Sequence, residues 1–189
     1  ACGLVYRNPM ERREELRTTY ADAPVDRDVL DALHDAQTRT FHAQAHRLAG
    51  LLQRRGTGLE VGSYVGAFLA AAREQGWNFE GLDLNPEVNG FARARGFVIH
   101  DGDLEGFASG GRTFDAVAIW NTFEQLPDPR SALRAAHRLL LPGGLLALRV
   151  PNGAFYARLR PLLDGWLGAV ARGILAHNNL LGFPYRHGF

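Results

Sequence analysis

Apolar positions along this chain follow two spacings in turn, one near every third or fourth residue and one of short unbroken runs. Val29, Leu30, Leu33, Phe41, Ala45, Leu48 and Leu52 recur near a period of 3.6, which predicts an amphipathic helix over 25–55, broken near Thr38–Thr40. The charged stretch Met10–Tyr20 predicts a short helix before it. Leu59 and Val61 then read as the end of a buried strand, followed by the alanine-rich helix Ala67–Gln75, which Gly76 ends. Asn78–Leu84 predicts a second strand, and Asn85-Pro86 opens a helix through Ala94. Gly96–His100 predicts a third strand. The near-continuous run Phe114–Trp120 has the character of a central parallel strand. A helix capped by Ser131, with Leu133, Ala136, His137 and Leu140 toward a sheet, leads to a fifth strand at Leu145–Val150.

Strands alternating with helices predict an α/β fold, a doubly wound Rossmann-like parallel sheet with helices on both faces. With right-handed crossovers the expected order is 3-2-1-4-5. The chain of 189 residues is 46% hydrophobic, enough for one sizeable core. Its 21 basic and 20 acidic residues leave a net charge of +1, which gives no electrostatic case for nucleic acid. No apolar run reaches the roughly 18 residues of a membrane span and no signal peptide opens the chain, so the expectation is a cytoplasmic protein without membrane partners. Cys2 is the one cysteine, which excludes an internal disulfide framework.

The chemistry concentrates where the first strand turns through Thr-Gly-Leu-Glu-Val-Gly-Ser-Tyr-Val-Gly, Thr57–Gly66, into a helix. Such a turn lets the backbone approach a ligand and aims free helix N–H groups at it. Glu60 adds a carboxylate at the strand's end. The dinucleotide spacing G-x-G-x-x-G, begun at Gly62, falls on Gly62, Tyr64 and Ala67, so one position of three matches. Asp83 lies 21 positions after Gly62, where a nucleotide-binding α/β unit places an acid on the vicinal ribose hydroxyls. A helix cap is the competing role for Asp83. His42 and His46 form an i,i+4 pair with no third ligand beside them, which reads as a solvated face.

The pattern Glu60-x-Gly62-x-x-x-Gly66 resembles motif I of the class I S-adenosylmethionine-dependent methyltransferases, with Tyr64 in place of that family's middle glycine. The run from Phe114 through Leu141-Pro142-Gly143-Gly144 to Val150-Pro151-Asn152 resembles the family's small-molecule members. The resemblance covers about Val5 to Asn152. It implies S-adenosylmethionine as cofactor, S-adenosylhomocysteine as product and methyl transfer to the oxygen, nitrogen or carbon of a small molecule. It further implies that Glu60, Gly62, Ser63 and Gly66 hold the methionine end, with Tyr20 over it and the Asn121 backbone on the amino group. Asp83 and the adjacent Leu84 would serve the ribose, and Asp103 with Leu104 the adenine. Asp101 and Asp103 have turn stabilisation beside Gly102 as their alternative.

Relatives with an acidic residue and Glu-His after the fourth strand hold a divalent cation. Here Asn121, Glu124 and Gln125 stand at those positions, so no catalytic metal is expected. Glu124 becomes a polar contact or weak base, or simply a first-turn acid. His177 in the apolar segment beyond Asn152, more than His187, is a further base for a hydroxyl or amine.

The organisation expected from this resemblance is an N-terminal arm with helices covering the cofactor site (1–55), a cofactor-binding core (56–152) and a helical substrate lid (153–189). Ala1–Pro9 resembles the tail of a Cys-x-x-Cys-Gly zinc knuckle. The two antiparallel strands that complete such a domain have no counterpart here, so the fifth strand is expected to leave an edge on which a second copy pairs. Two rival readings share the sheet: a non-catalytic cofactor-binding or scaffolding domain, and a nicotinamide-dependent oxidoreductase.

Overall fold

Six α-helices and five strands alternate in the computed structural model, which describes residues 13–21, 27–52 and 56–150. They are α1 (Arg13–Ala21), α2 (Arg27–Leu51), β1 (Thr57–Val61), α3 (Ala67–Glu74), β2 (Asn78–Asp83), α4 (Pro86–Ala94), β3 (Ile99–Asp101), α5 (Leu104–Ala108), β4 (Phe114–Trp120), α6 (Pro129–Arg138) and β5 (Leu140–Arg149). All belong to one unit, Glu11–Arg149. The segments Ala1–Pro9, Pro151–Asn152 and 153–189, with Cys2, His177 and His187, lie outside the described residues.

The sheet is parallel throughout, in the order β3-β2-β1-β4-β5, as the alternation of runs predicts. β1 lies at its centre, with Glu60 opposite Gly81 of β2 on one side and Ala118 of β4 on the other. Alternation along each strand divides the core in two. Ala116 and Ala118 face a layer formed with α2, α3 and α4, where Phe68 is fully buried with ring centroids 5.0 Å from Phe79, 5.1 Å from Trp120 and 5.7 Å from Phe41. Leu59, Val61, Val117 and Ile119 face the other layer, under α5 and α6. Among the described residues β5 pairs with β4 alone.

Several local expectations change. α2 runs unbroken through Thr38 and Thr40, whose hydroxyls donate to the carbonyls four residues back, on His34 (2.7 Å) and Ala36 (3.1 Å), without interrupting the helix. β3 starts at Ile99 rather than Gly96. Gly96 is left-handed at φ +78° and Phe97 N returns to Ala92 O, so 96–97 finish α4. The residues after Asp101 form the short helix α5. On α6 the cap is Asp128, which accepts from Arg130 N, while the Ser131 hydroxyl donates to Asp128 and accepts from Arg134 Nη2. Its buried stripe is Ala132, Ala135, Ala136 and Leu139, leaving Leu133 and His137 exposed a quarter-turn away. Leu141-Pro142-Gly143-Gly144 lies within β5 as an irregularity of its pairing with β4, with Gly143 at φ +76°.

Away from the ends of the strands, Glu80 of β2 is held by a forked pair to Arg112, with both distances 2.7 Å, and by His100 Nε2 at 2.6 Å. Burial on its own would raise the Glu80 carboxyl, but the Arg112 and His100 hydrogen bonds outweigh it and hold the group below its ordinary range. A carboxyl depressed in the folded state stabilises above its unfolded pKa and loses that contribution as pH falls through the folded value. Arg112→Met is therefore expected to lower the melting temperature at pH 7 and to narrow its gap to the wild type as the pH is taken toward 3. Thermal unfolding across that range reads the difference, and a gap independent of pH would refute the assignment.

Candidate functional site

The carboxyl ends of β2, β1 and β4 are where the chain spends its unusual backbone. After Val61 the chain turns at Gly62, φ +74°, whose N–H donates to Leu82 O at 2.8 Å. A Cβ on Gly62 would stand 2.3 Å from Thr122 Oγ1, so the loops after β1 and β4 meet there. Tyr64 (φ +47°) and Asn121 (φ +54°) are the non-glycine residues of the described chain in the left-handed region. Such a conformation costs on the order of 1 kcal/mol or more and gathers at functional turns. Gly66, at φ +72°, caps α3, and its N–H donates to Ser63 O at 2.8 Å.

The three acids singled out from the sequence sit at the ends of adjacent strands: Glu60 on β1, Asp83 on β2 and Asp103 after β3. Glu60 is 2% exposed and its Oε2 has no hydrogen-bond partner. Burial, then the neighbouring Asp83 charge, push its carboxyl well above the ordinary range, with Arg149 acting in the opposite sense. Asp83 accepts from Tyr64 N at 2.9 Å and Asn85 N at 3.0 Å, and so ties the glycine turn to the next loop. Burial raises its carboxyl, offset in part by those amides. The helix cap that competed for Asp83 falls instead to Asn85, whose side chain accepts from Glu87 N and Val88 N. Leu84, beside Asp83, is half-buried.

Asp103 caps α5 through Gly106 N at 2.8 Å. Asp101 is occupied by Asn89 Nδ2 and Arg93 Nη2, both at 2.7 Å. Two named residues turn their side chains inward. Leu104 is 1% exposed in the core under α5, and Ser63 is 3% exposed with its hydroxyl packed where a Gly81 Cβ would be. Only their backbones are placed to face a ligand.

The remaining positions form a chain of hydrogen bonds across the β1 end. The Tyr20 hydroxyl donates to Gln125 Oε1, and Tyr20 O accepts from Asn85 Nδ2 at 3.1 Å, so α1 reaches the loops after both β4 and β2. Gln125 Nε2 donates to Asn121 O at 2.8 Å. Asn121 Oδ1 accepts from Arg149 Nε at 3.0 Å, and Asn121 N donates to Arg149 O at 2.9 Å. Glu124, in the 3-10 turn Phe123–Gln125, has both carboxylate oxygens buried without partners, and burial raises its carboxyl. Arg149 and the amide of Gln125 are the participants that reading the residues did not place. Arg149 was visible as the one charge in an otherwise apolar strand.

The histidines of α2 go elsewhere. His34 Nδ1 lies 2.8 Å from Val65 O, His42 Nε2 lies 3.4 Å from Glu74 Oε2, and His46 is exposed. Among the described residues no three metal-binding side chains gather, and no helix is long and apolar enough to cross a membrane.

A family model described as a methyltransferase domain matches residues 32–182. A ubiquinone biosynthesis O-methyltransferase of Xanthomonas oryzae pv. oryzae is 29% identical over 182 residues, covering 85% of this chain and 73% of that protein. Among solved structures, DesVI of Streptomyces venezuelae is 26% identical with a TM-score of 0.53, covering 67% of this chain and 58% of that one. The S-adenosylmethionine-bound amino pentose methyltransferase CalS10 of Micromonospora echinaspora is 25% identical with a TM-score of 0.54, covering 77% and 59%. The chain thus spans about three-fifths of the length of these solved relatives.

Proposed function

Since the chain belongs to the class I S-adenosylmethionine-dependent methyltransferase domains, we propose that it transfers a methyl group to a hydroxyl or amine of a small molecule, without a catalytic metal. The observation that carries this reading is the partnerless, buried Glu60 carboxylate oxygen beside the Gly62 turn, one strand from Asp83. A buried carboxylate oxygen without a donor costs free energy that a ligand ammonium recovers, so the residues present fit a cofactor with a methionine end.

The cofactor, when bound, supplies a sulfonium methyl group already activated for displacement. The protein's part is then chiefly to hold the acceptor atom in line with that methyl. Glu60 receives the ammonium. Asp83, its carboxylate already fixed by two amides, accepts from the vicinal ribose hydroxyls. Asp103 and the Leu104 backbone meet the adenine edge, and Tyr20 closes over the methionine end. Glu124, whose buried carboxylate oxygens have no partner and whose carboxyl burial raises, would take the proton of the acceptor. His177, outside the described residues, is the second proton acceptor to test.

Calorimetric titration of the full chain with S-adenosylmethionine, S-adenosylhomocysteine and NADH tests the reading, with binding of the first two and none of the third expected. Asp83→Ala is expected to weaken S-adenosylhomocysteine by about 1–3 kcal/mol, roughly 5- to 150-fold, the cost of leaving ligand hydroxyls unpaired. Unchanged affinity removes Asp83 from the site. Turnover is then assayed against hydroxylated aromatics and amino sugars, the acceptor types that the two named methyltransferases suggest.

A further inference from the structure

Arg149, at the last position of β5, is gripped more closely than a charge at a strand end requires. Its main chain and side chain both bond Asn121, through O···N at 2.9 Å and Nε···Oδ1 at 3.0 Å. With the Gln44 amide oriented to donate to Thr40 O, Gln44 Oε1 accepts from Arg149 Nη1 at 2.8 Å. The guanidinium lies 4.8 Å from the Phe41 ring centre and 5.9 Å from that of Trp120. It is thus held from α2, β4 and its own strand.

Two consequences follow for the methionine end of the site. Asn121 keeps a left-handed backbone, φ +54°, that a non-glycine residue holds only when its surroundings over-determine it. Arg149 on one side and Gln125 on the other supply that constraint. The guanidinium also stands on the face shared by Glu60, Ala118 and Trp120, where its charge acts on both Glu60 and Glu124. Its Nε and Nη1 are committed to Asn121 and Gln44, so it lends positive potential without occupying the Glu60 oxygen that a ligand needs.

We propose that Arg149 is a positioning residue for the amino-acid end of the cofactor: it locks the Asn121 turn and provides the counter-charge beside which Glu60 receives an ammonium. This rests on the functional reading above. A planar fork that bonds through Nε and Nη1 while lying between two rings is a geometry lysine does not reproduce.

Two ligands separate this role from a structural one: S-adenosylhomocysteine, which carries the amino-acid end, and 5′-methylthioadenosine, which lacks it. In calorimetry on the full chain, Arg149→Met is expected to weaken the first at least 10-fold and to change the second by less than twofold. Arg149→Lys is expected to recover less than half of that loss on a logarithmic scale. In a Glu60→Gln background, Arg149→Met is expected to cost measurably less than in the wild type, because the charge it serves is gone and only the Asn121 lock remains. Equal losses for both ligands, full recovery by lysine, or an undiminished loss in the Glu60→Gln background would each overturn the proposal. If the methionine variant unfolds, Arg149→Lys and Arg149→Gln carry the same two-ligand comparison. A wild-type chain that binds neither ligand refutes the methyltransferase reading itself, and is a distinct outcome.

Discussion

Glu60→Gln is expected to weaken S-adenosylhomocysteine by about 10²- to 10⁴-fold while making the ligand-free protein more stable. The two effects share one cause. Glu60 is 2% exposed, one of its oxygens has no partner, and the nearby Asp83 is also acidic, so an ionised Glu60 is held against burial and like-charge repulsion. A ligand ammonium relieves both. Removing one partner of a buried charge pair costs about 3–5 kcal/mol, which sets the expected loss of affinity. The neutral amide has the same shape without the charge, and in the absence of ligand its gain is on the order of 1 kcal/mol or more.

The pH dependence has a definite sign. A carboxyl raised in the folded state keeps its proton after the unfolded chain, near pKa 4.3, has lost it. Folding therefore favours the protonated form, and the wild type loses stability as pH rises from the unfolded value through the folded one. The advantage of Glu60→Gln is expected to be smallest at pH 4 and to widen toward pH 8. Thermal unfolding of the ligand-free protein measures it. A variant less stable than the wild type at pH 8 would mean that Glu60 is a structural group, not one kept ready for a ligand.

Gly62→Ala is expected to destabilise by about 2–5 kcal/mol and to reduce cofactor binding together with the fold. A left-handed backbone costs an alanine about 1–2 kcal/mol, and φ here is +74°. The added Cβ would stand 2.3 Å from Thr122 Oγ1, 2.9 Å from Cγ2 and 3.0 Å from Cβ. The whole side chain must retreat, and overpacking of this kind costs a further ~1–3 kcal/mol. For a domain whose total stability is about 5–15 kcal/mol that is a large share. Thr122→Gly in the same chain removes the clash but not the dihedral cost, so chemical denaturation of the single and double variants apportions the two. Should Gly62→Ala melt like the wild type, the loops after β1 and β4 are not in the contact described.

The layer order and most element positions were legible because their signals are local and strong. Phe114–Trp120 is apolar at every position but Asp115, and that is what a central strand requires. The failures have physical reasons as particular as the successes. Thr38 and Thr40 suggested a break in α2, yet both hydroxyls find carbonyls on their own helix. Ser131 looked like the cap of α6, but the Asp128 carboxylate, three residues earlier, accepts from Arg130 N, and Leu133 lies outside the stripe Ala132, Ala135, Ala136 and Leu139 that is buried. At the site, Glu60 and Asp83 were legible because each ends a recognisable strand. Arg149 and Gln125 were not, because Arg149 meets Asn121 across 28 residues, and Gln125 meets Tyr20 across 105.

The position of Tyr20 ties α1 across the candidate site. Its carbonyl is fastened to the loop after β2 and its phenol to the loop after β4, on either side of the β1 turn. Undoing both fastenings costs about 1–3 kcal/mol net in all. A tie of that size holds α1 in place yet yields to modest competition from other contacts.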